Sequence, residues 1–213
     1  MFTRVFLTLS ICFTAGLTYA QKTYKGGSIE FGRSQFASPQ ITGDDSDPSM
    51  GIGIQGFIQK PVAKQFNVKG GLAFQFLGDR YTDFRMELDD HTGDFEGLRY
   101  RFGYVSMPVT VQYHSKKRIL QPYGSLGLVP SVLVFTHASA PDYTTCLIYT
   151  DTEFRRLQFN IQGEVGLQFQ YKRKKRFSLA LVGVHSLHDT VKSGPAKFYN
   201  RQLMFSVGHS VRL

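Results

Sequence analysis

Residues 157–171 read LQFNIQGEVGLQFQY, and apolar and polar side chains alternate through this stretch without a break. A period of two is typical of a β-strand with one apolar and one polar face. At about 3.3 Å per residue such a strand is about 50 Å long, whereas a tilted strand needs only about 9 to 11 residues to cross a bilayer. The stretch therefore predicts a strand of a membrane barrel. Its apolar face carries Leu157, Phe159, Ile161, Gly163, Val165, Leu167, Phe169 and Tyr171, and its polar face carries Gln158, Asn160, Gln162, Glu164, Gly166, Gln168 and Gln170.

The same alternation recurs along the chain and predicts an all-β fold, an eight-stranded antiparallel up-and-down transmembrane β-barrel. The predicted strands cover residues 28–35, 50–59, 66–77, 100–113, 120–136, 157–171, 177–188 and 201–213. Four long connections, the largest over residues 79–98, alternate with three short ones, which places both termini on the short-turn side. Pro108 cannot donate a ladder hydrogen bond, so a bulge or break is expected there.

The first twenty residues predict a secretory signal peptide. Arg4 precedes an apolar run from Val5 to Leu17, and cleavage is expected after Ala20. A buried N-terminal helix is the alternative, but the run is short and lacks an amphipathic period. The barrel domain then covers residues 21–213, and Cys146 is its single cysteine, so no internal disulfide can form. No later apolar run is long enough for a helical membrane span.

The charge pattern argues against a nucleic-acid partner, although the formal net charge is +9. Ten of the 25 basic residues fall in the short segments 60–64, 116–118 and 172–176, and all but two of the 16 acids fall in the long connections. In a meander these segments lie at opposite ends, so the two charge types are expected to be segregated. Nucleic-acid binding would instead require basic residues on one face with stacking aromatics.

Several residues indicate that the apolar faces meet lipid. Aromatic residues occupy that face at the short-turn ends, where a membrane barrel carries an aromatic girdle. The charges on that face, Arg33 and Arg101, lie at loop ends, away from the bilayer midplane. A secreted lipocalin-like barrel with the faces reversed is the alternative, but the chain has no Trp for the lipocalin Gly-x-Trp signature. The girdle residues are Phe66, Tyr113, Tyr171 and Phe177.

Acidic and basic residues on the polar faces predict a structural charge network inside the barrel. Opposite charges in an eight-stranded barrel can pair and fill it, so we expect a plugged interior without an open channel. The predicted network consists of Glu30, Lys69, Glu164 and Arg212.

No pattern in the sequence favours catalysis, a cofactor or a metal site. His185-Ser186 and His209-Ser210 resemble dyads, but neighbours on a strand point to opposite faces, which prevents proton transfer between them. His185 and His188 lack a third ligand for zinc. The acidic connection over residues 79–98 lacks EF-hand spacing for calcium. We therefore expect no catalytic, cofactor-binding or metal-binding residues, and a protein that is not an enzyme.

Four motifs resemble the PorT-like outer-membrane β-barrel family in their order along the chain. They are Tyr104-Val-Ser-Met-Pro108, Gln121-Pro-Tyr-Gly124, Gly163-Glu-Val-Gly-Leu-Gln-Phe169 and Asn200-Arg201. The similarity covers residues 100–213. It implies a signal peptide, export to a gram-negative outer membrane and, for PorT itself, a part in protein secretion and surface display. Leu213 departs from the aromatic residue that commonly ends such barrels.

Two functional hypotheses follow. In the first, the chain is a non-enzymatic outer-membrane barrel whose loops bind a partner or act in a secretion assembly. Its surroundings would be outer-membrane lipid and lipopolysaccharide, with other envelope or secretion proteins as further partners. In the second, the chain is a small-ligand carrier or transporter that uses the barrel mouth.

Overall fold

The computed structural model describes residues 23–37, 46–88, 91–115, 119–139, 154–172, 174–191 and 199–213, with only the backbone at residues 37, 46–47, 81–88, 91–98 and 138–139. No helix in these ranges is long and apolar enough to span a membrane. The strands are β1 (Tyr24–Ala37), β2 (Ser46–Pro61), β3 (Phe66–Leu88), β4 (His91–Ser106), β5 (Val109–His114), β6 (Leu120–Ser139), β7 (Leu157–Lys172), β8 (Lys175–Ser186) and β9 (Tyr199–Arg212).

The strands form one closed antiparallel barrel. Strands that follow one another pair, except that β4 and β5 are segments of one barrel strand, and β1 pairs with β9 from Tyr24↔Arg212 to Ala37↔Tyr199. Because the first and last strands pair, the sheet has no free edge, which is the condition for a sheet to span a membrane. The short connections β2–β3, β5–β6 and β7–β8 lie at the same end as Tyr24 and Arg212.

Pro108 divides one barrel strand into two segments. Strands β4 and β5 both pair with β3 on one side and with β6 on the other. The nine segments therefore form eight barrel strands, which confirms the predicted fold class. At the break the carbonyl of Pro108 still accepts a hydrogen bond from Gly71 N at 3.1 Å, and Met107 N donates to Pro130 O at 2.8 Å. The break in the ladder at Pro108 was thus predictable from the missing N–H alone.

The apolar faces point outwards and the polar faces point into the barrel. On β7, Val165 is 62% exposed while the adjacent Glu164 is 4% exposed. The girdle residues Phe66, Tyr113 and Tyr171 are also exposed on the outside. This arrangement is inverted relative to a water-soluble barrel and suits a lipid environment.

The predicted connection over residues 79–98 is wrong. Strand β3 continues to Leu88 and β4 begins at His91, and the two pair from Tyr81↔Leu98 to Leu88↔His91. The high acid content suggested a loop, but residues 84–88 read FRMEL and alternate with the period of a strand. In the described chain β2 pairs with β3 only up to Tyr81, and β6 pairs with β4 only from Arg99, so residues 83–88 and 91–96 form a two-stranded arm, which we call the hairpin arm.

Most other predicted strands are shorter than the observed ones. The first begins at Tyr24 instead of residue 28, the second at Ser46 instead of residue 50, and the sixth barrel strand ends at Lys172 instead of residue 171. The seventh predicted strand, residues 177–188, begins and ends two residues later than the observed β8. The last predicted strand ends at Leu213, one residue beyond the observed end at Arg212. The predicted signal peptide over residues 1–20 and Cys146 lie outside the described residues.

Candidate functional site: the barrel interior

Glu164 is the centre of a polar cluster inside the barrel. Its Oε1 accepts a hydrogen bond of 2.5 Å from Tyr123 Oη, and its Oε2 accepts one of 3.2 Å from Ser125 Oγ. Ser125 is the register partner of Glu164 on β6, and period two brings Tyr123 to the same inner face. Lys69 reaches across the interior from β3 and places its Nζ 3.4 Å from Glu164 Oε2.

Glu30 is a second buried acid in this cluster. Its Oε2 accepts a hydrogen bond of 3.4 Å from Gln75 Nε2. The ammonium of Lys69 also lies 4.7 Å from the centroid of the Phe57 ring. The ion pair of Lys69 with Glu164 matters to the cluster because an unpaired buried charge is costly.

Arg212, the fourth member of the predicted network, lies elsewhere. Glu30 is in register with Ser206 on β9, whereas Arg212 lies six residues further along the same strand, about 20 Å away at the usual rise. Arg212 is close to Arg176, with which it shares a like charge. The structure thus brings together Glu30, Lys69 and Glu164 and leaves Arg212 at the short-turn end.

An apolar cluster fills the part of the interior towards the long connections, and sequence reasoning missed it. We call this cluster the aromatic plug. Tyr104 is 1% exposed and Met204 is fully buried. The Phe102 ring lies 4.4 Å from the Phe36 ring and 5.1 Å from the Phe154 ring, which packs against the plug. The plug consists of Phe36, Leu77, Tyr100, Phe102, Tyr104, Leu133, Val182, Val184 and Met204.

The plug and the polar lining are joined by hydrogen bonds and close packing. Gln158 Nε2 donates to Tyr104 Oη at 3.0 Å, which satisfies the one polar atom of that side chain inside the barrel. A Cβ on Gly51 would lie 2.7 Å from Met204 Cε, so the absence of a side chain there leaves room for Met204. These contacts pack the plug against the residues that line the barrel interior.

In both candidate dyads the histidine and the serine lie on opposite faces of the strand, as alternation predicts. His185 and His209 are exposed on the outside, whereas Ser186 and Ser210 are buried inside. His209 Nε2 instead lies 2.8 Å from Tyr171 Oη, and Ser186 Oγ accepts a hydrogen bond of 2.9 Å from Asn200 N. Within the described side chains no group of three His, Cys, Asp or Glu residues is arranged to hold a metal ion.

The chain is similar to a known protein family and to solved structures of outer-membrane proteins. Residues 3–192 match the family described as outer membrane protein beta-barrel domain. The crystal structure of Neisserial surface protein A is similar with a TM-score of 0.51 and 11% identity, covering 90% of this chain and 97% of that chain. The crystal structure of the outer membrane protein OprG from Pseudomonas aeruginosa is also similar, with a TM-score of 0.51 and 12% identity. The match covers 91% of this chain and 96% of that chain. No curated protein matches the chain. At such identities the structural likeness shows the fold alone.

Proposed function

The chain belongs to the outer membrane protein beta-barrel domain family, and from that premise we propose that it is a non-enzymatic barrel with an occluded interior that binds partner macromolecules through its long-connection end. It is an integral protein of the cell outer membrane. Lipid therefore surrounds the barrel, and lipopolysaccharide is the expected neighbour of its outer rim.

Two groups of buried side chains inside the barrel support the proposal of an occluded interior. The aromatic plug lies towards the long connections, and the Lys69–Glu164 pair crosses the interior within the barrel. A solute carrier would need a path or a cavity between these groups. A barrel filled by its own side chains acts through its surface instead.

The hairpin arm, residues 83–88 and 91–96, is the structural basis proposed for a partner site. It continues two barrel strands beyond the last pairings that the described residues make with β2, at Tyr81, and with β6, at Arg99. A two-stranded arm that extends from a rigid ring is suited to hold a partner at a fixed distance from the membrane. The resemblance to PorT-like proteins suggests that this partner belongs to protein secretion or surface display.

Shortening the arm tests this role. Residues 83–96 would be replaced by Asn-Gly, which keeps every pairing with β2 and β6 and supplies a tight hairpin turn. Heat-modifiable gel mobility of outer membranes would first show that the shortened barrel is folded. We expect export of surface proteins to fall while the barrel accumulates normally. Unchanged export in cells that contain the folded, shortened barrel would overturn the proposed assembly role.

Conductance separates this proposal from the carrier hypothesis. The purified barrel in planar bilayers should show no regular single-channel steps, because side chains fill its interior. Steps of uniform size, or saturable uptake of a solute into vesicles that contain the barrel, would support the carrier hypothesis instead.

A further inference from the structure

The outer face of the barrel carries a row of lysines at the short-turn end. Lys172 is the register partner of Lys175, Lys175 is that of Val211, and Val211 is that of Lys25. Register partners on an antiparallel sheet share a face, and all three lysines are exposed. We call Lys172, Lys175 and Lys25 the lysine row.

The lysine row lies directly beyond the aromatic girdle. Phe177 pairs with His209, and Lys175 lies two residues further towards the short-turn end, about 7 Å along the strand. Beside the row, Tyr171 on β7 and His209 on β9 form a hydrogen bond of 2.8 Å between Oη and Nε2. This bond passes over β8, which lies between the two strands. Aromatic girdles mark the interface between acyl chains and headgroups, so the row lies at headgroup level.

The described segments of this end carry no acidic side chain that could pair with the row. Lys172 and Lys175 are directly opposite each other, an arrangement that destabilises a sheet unless an anion lies nearby. The acids Glu30 and Glu164 are buried inside the barrel. The short-turn segments 23–26, 59–68, 113–115, 119–122, 170–172, 174–176 and 210–213 contain eight basic residues and no acid: Lys25, Lys60, Lys64, Lys172, Lys174, Lys175, Arg176 and Arg212.

We propose that the lysine row, with Tyr171 and His209 beside it, binds the phosphate of an anionic phospholipid headgroup in the leaflet at the short-turn end. Lys25 and Lys175 are two strand spacings apart, about 10 Å, so their flexible side chains can converge on one phosphate. Val211 between them offers an apolar surface to the adjoining glycerol and acyl chains. Lysines near a membrane surface favour anionic lipid in this way.

The choice of lipid over an acidic protein follows from the position of the row. Its lysines project from the outer face of the barrel just beyond the girdle, where headgroups contact the protein. A periplasmic protein would meet the turns and the end of the barrel first. The site is at the opposite end from the hairpin arm and is independent of the function proposed for the arm.

A lipid titration of the whole mature protein tests the site. The protein in a zwitterionic detergent would be titrated with phosphatidylglycerol, phosphatidylcholine or inorganic phosphate, and the bound molecules counted by native mass spectrometry. We expect phosphatidylglycerol to bind in preference to phosphatidylcholine. The variant Lys175→Gln should weaken that binding about fivefold, and Lys25→Gln with Lys175→Gln about 25-fold.

Lys64→Gln is the matched control, because it removes one exposed charge from a turn at the same end without touching the row. It should change binding less than twofold. Equal weakening by Lys64→Gln and Lys175→Gln would overturn the site in favour of a diffuse charge effect. Equal binding of the two lipids would overturn it in favour of an acidic protein partner, and displacement of lipid by inorganic phosphate at equal concentration would show a site for free anions.

Discussion

Lys69 Nζ lies 3.4 Å from Glu164 Oε2 across the barrel interior, although 95 positions separate the two residues in the chain. The lysine side chain is 10% exposed and the carboxylate side chain 3%. Only closure of the sheet brings β3 and β7 to face each other. The pair therefore reports both the inward direction of the polar faces and the correct register of the ring.

Replacing Lys69 by Met should destabilise the barrel by about 3 to 5 kcal/mol, because it leaves the buried carboxylate of Glu164 without its cation. Urea unfolding in phospholipid vesicles, followed by gel mobility, measures the change. Lys64→Met, in an exposed turn, is the control and should cost less than about 0.5 kcal/mol. Adding Glu164→Gln to Lys69→Met should recover part of the loss. Equal midpoints for the Lys69 and Lys64 variants would contradict the pairing.

The hydrogen bond from Tyr123 to Glu164 should contribute independently of the lysine. Tyr123→Phe removes the donor that lies 2.5 Å from the carboxylate, and we expect a loss of about 1.5 to 3 kcal/mol, the usual range for a bond to a charged group. Tyr113→Phe, on the lipid-facing side, should change the urea midpoint by less than about 0.5 kcal/mol. A larger effect at Tyr113 than at Tyr123 would be inconsistent with this assignment of faces.

The aromatic plug predicts a gain of conductance when it is opened. Phe102 is 2% exposed inside the barrel and Phe76 is 45% exposed outside, so the same substitution at the two positions separates the faces. Phe102→Ala should cost about 3 to 5 kcal/mol by leaving a cavity and should produce brief conductance steps in planar bilayers. Phe76→Ala should do neither. A Phe102→Ala variant that shows no conductance steps and keeps wild-type stability would argue against the plug.

Alternation was enough to predict the eight strands and their directions, and the missing N–H of Pro108 predicted the break. The prediction succeeded because lipid-facing and lumen-facing residues alternate along a barrel strand, which gives its sequence a clear period of two. Cross-strand register was not predictable in detail. It depends on which residues meet across the ring, as in the pairing of Lys172 with Lys175 at the bulge after Gln170.

The plug and the hairpin arm were missed for different physical reasons. Tyr100, Phe102 and Tyr104 share the inward parity of Ser106, but apolar side chains were assigned to lipid although a small barrel also fills its interior with them. The arm was read as a loop because of its acids. Charge does not prevent strand pairing outside the membrane, and the alternation in residues 84–88 was the available signal.

Membrane accumulation of a pair of lysine variants on β7 tests most directly which face meets lipid. Val165 lies on the outer face near the middle of the strand, and Gln162 lies on the inner face on the same side as Glu164. A lysine at the lipid-facing midplane costs about 2 to 4 kcal/mol, whereas one inside can interact with the carboxylate of Glu164. We predict that Gln162→Lys reaches the outer membrane as a folded, heat-modifiable barrel at near wild-type level and that Val165→Lys is depleted severalfold. Normal accumulation of Val165→Lys with loss of Gln162→Lys would contradict the inside-out arrangement.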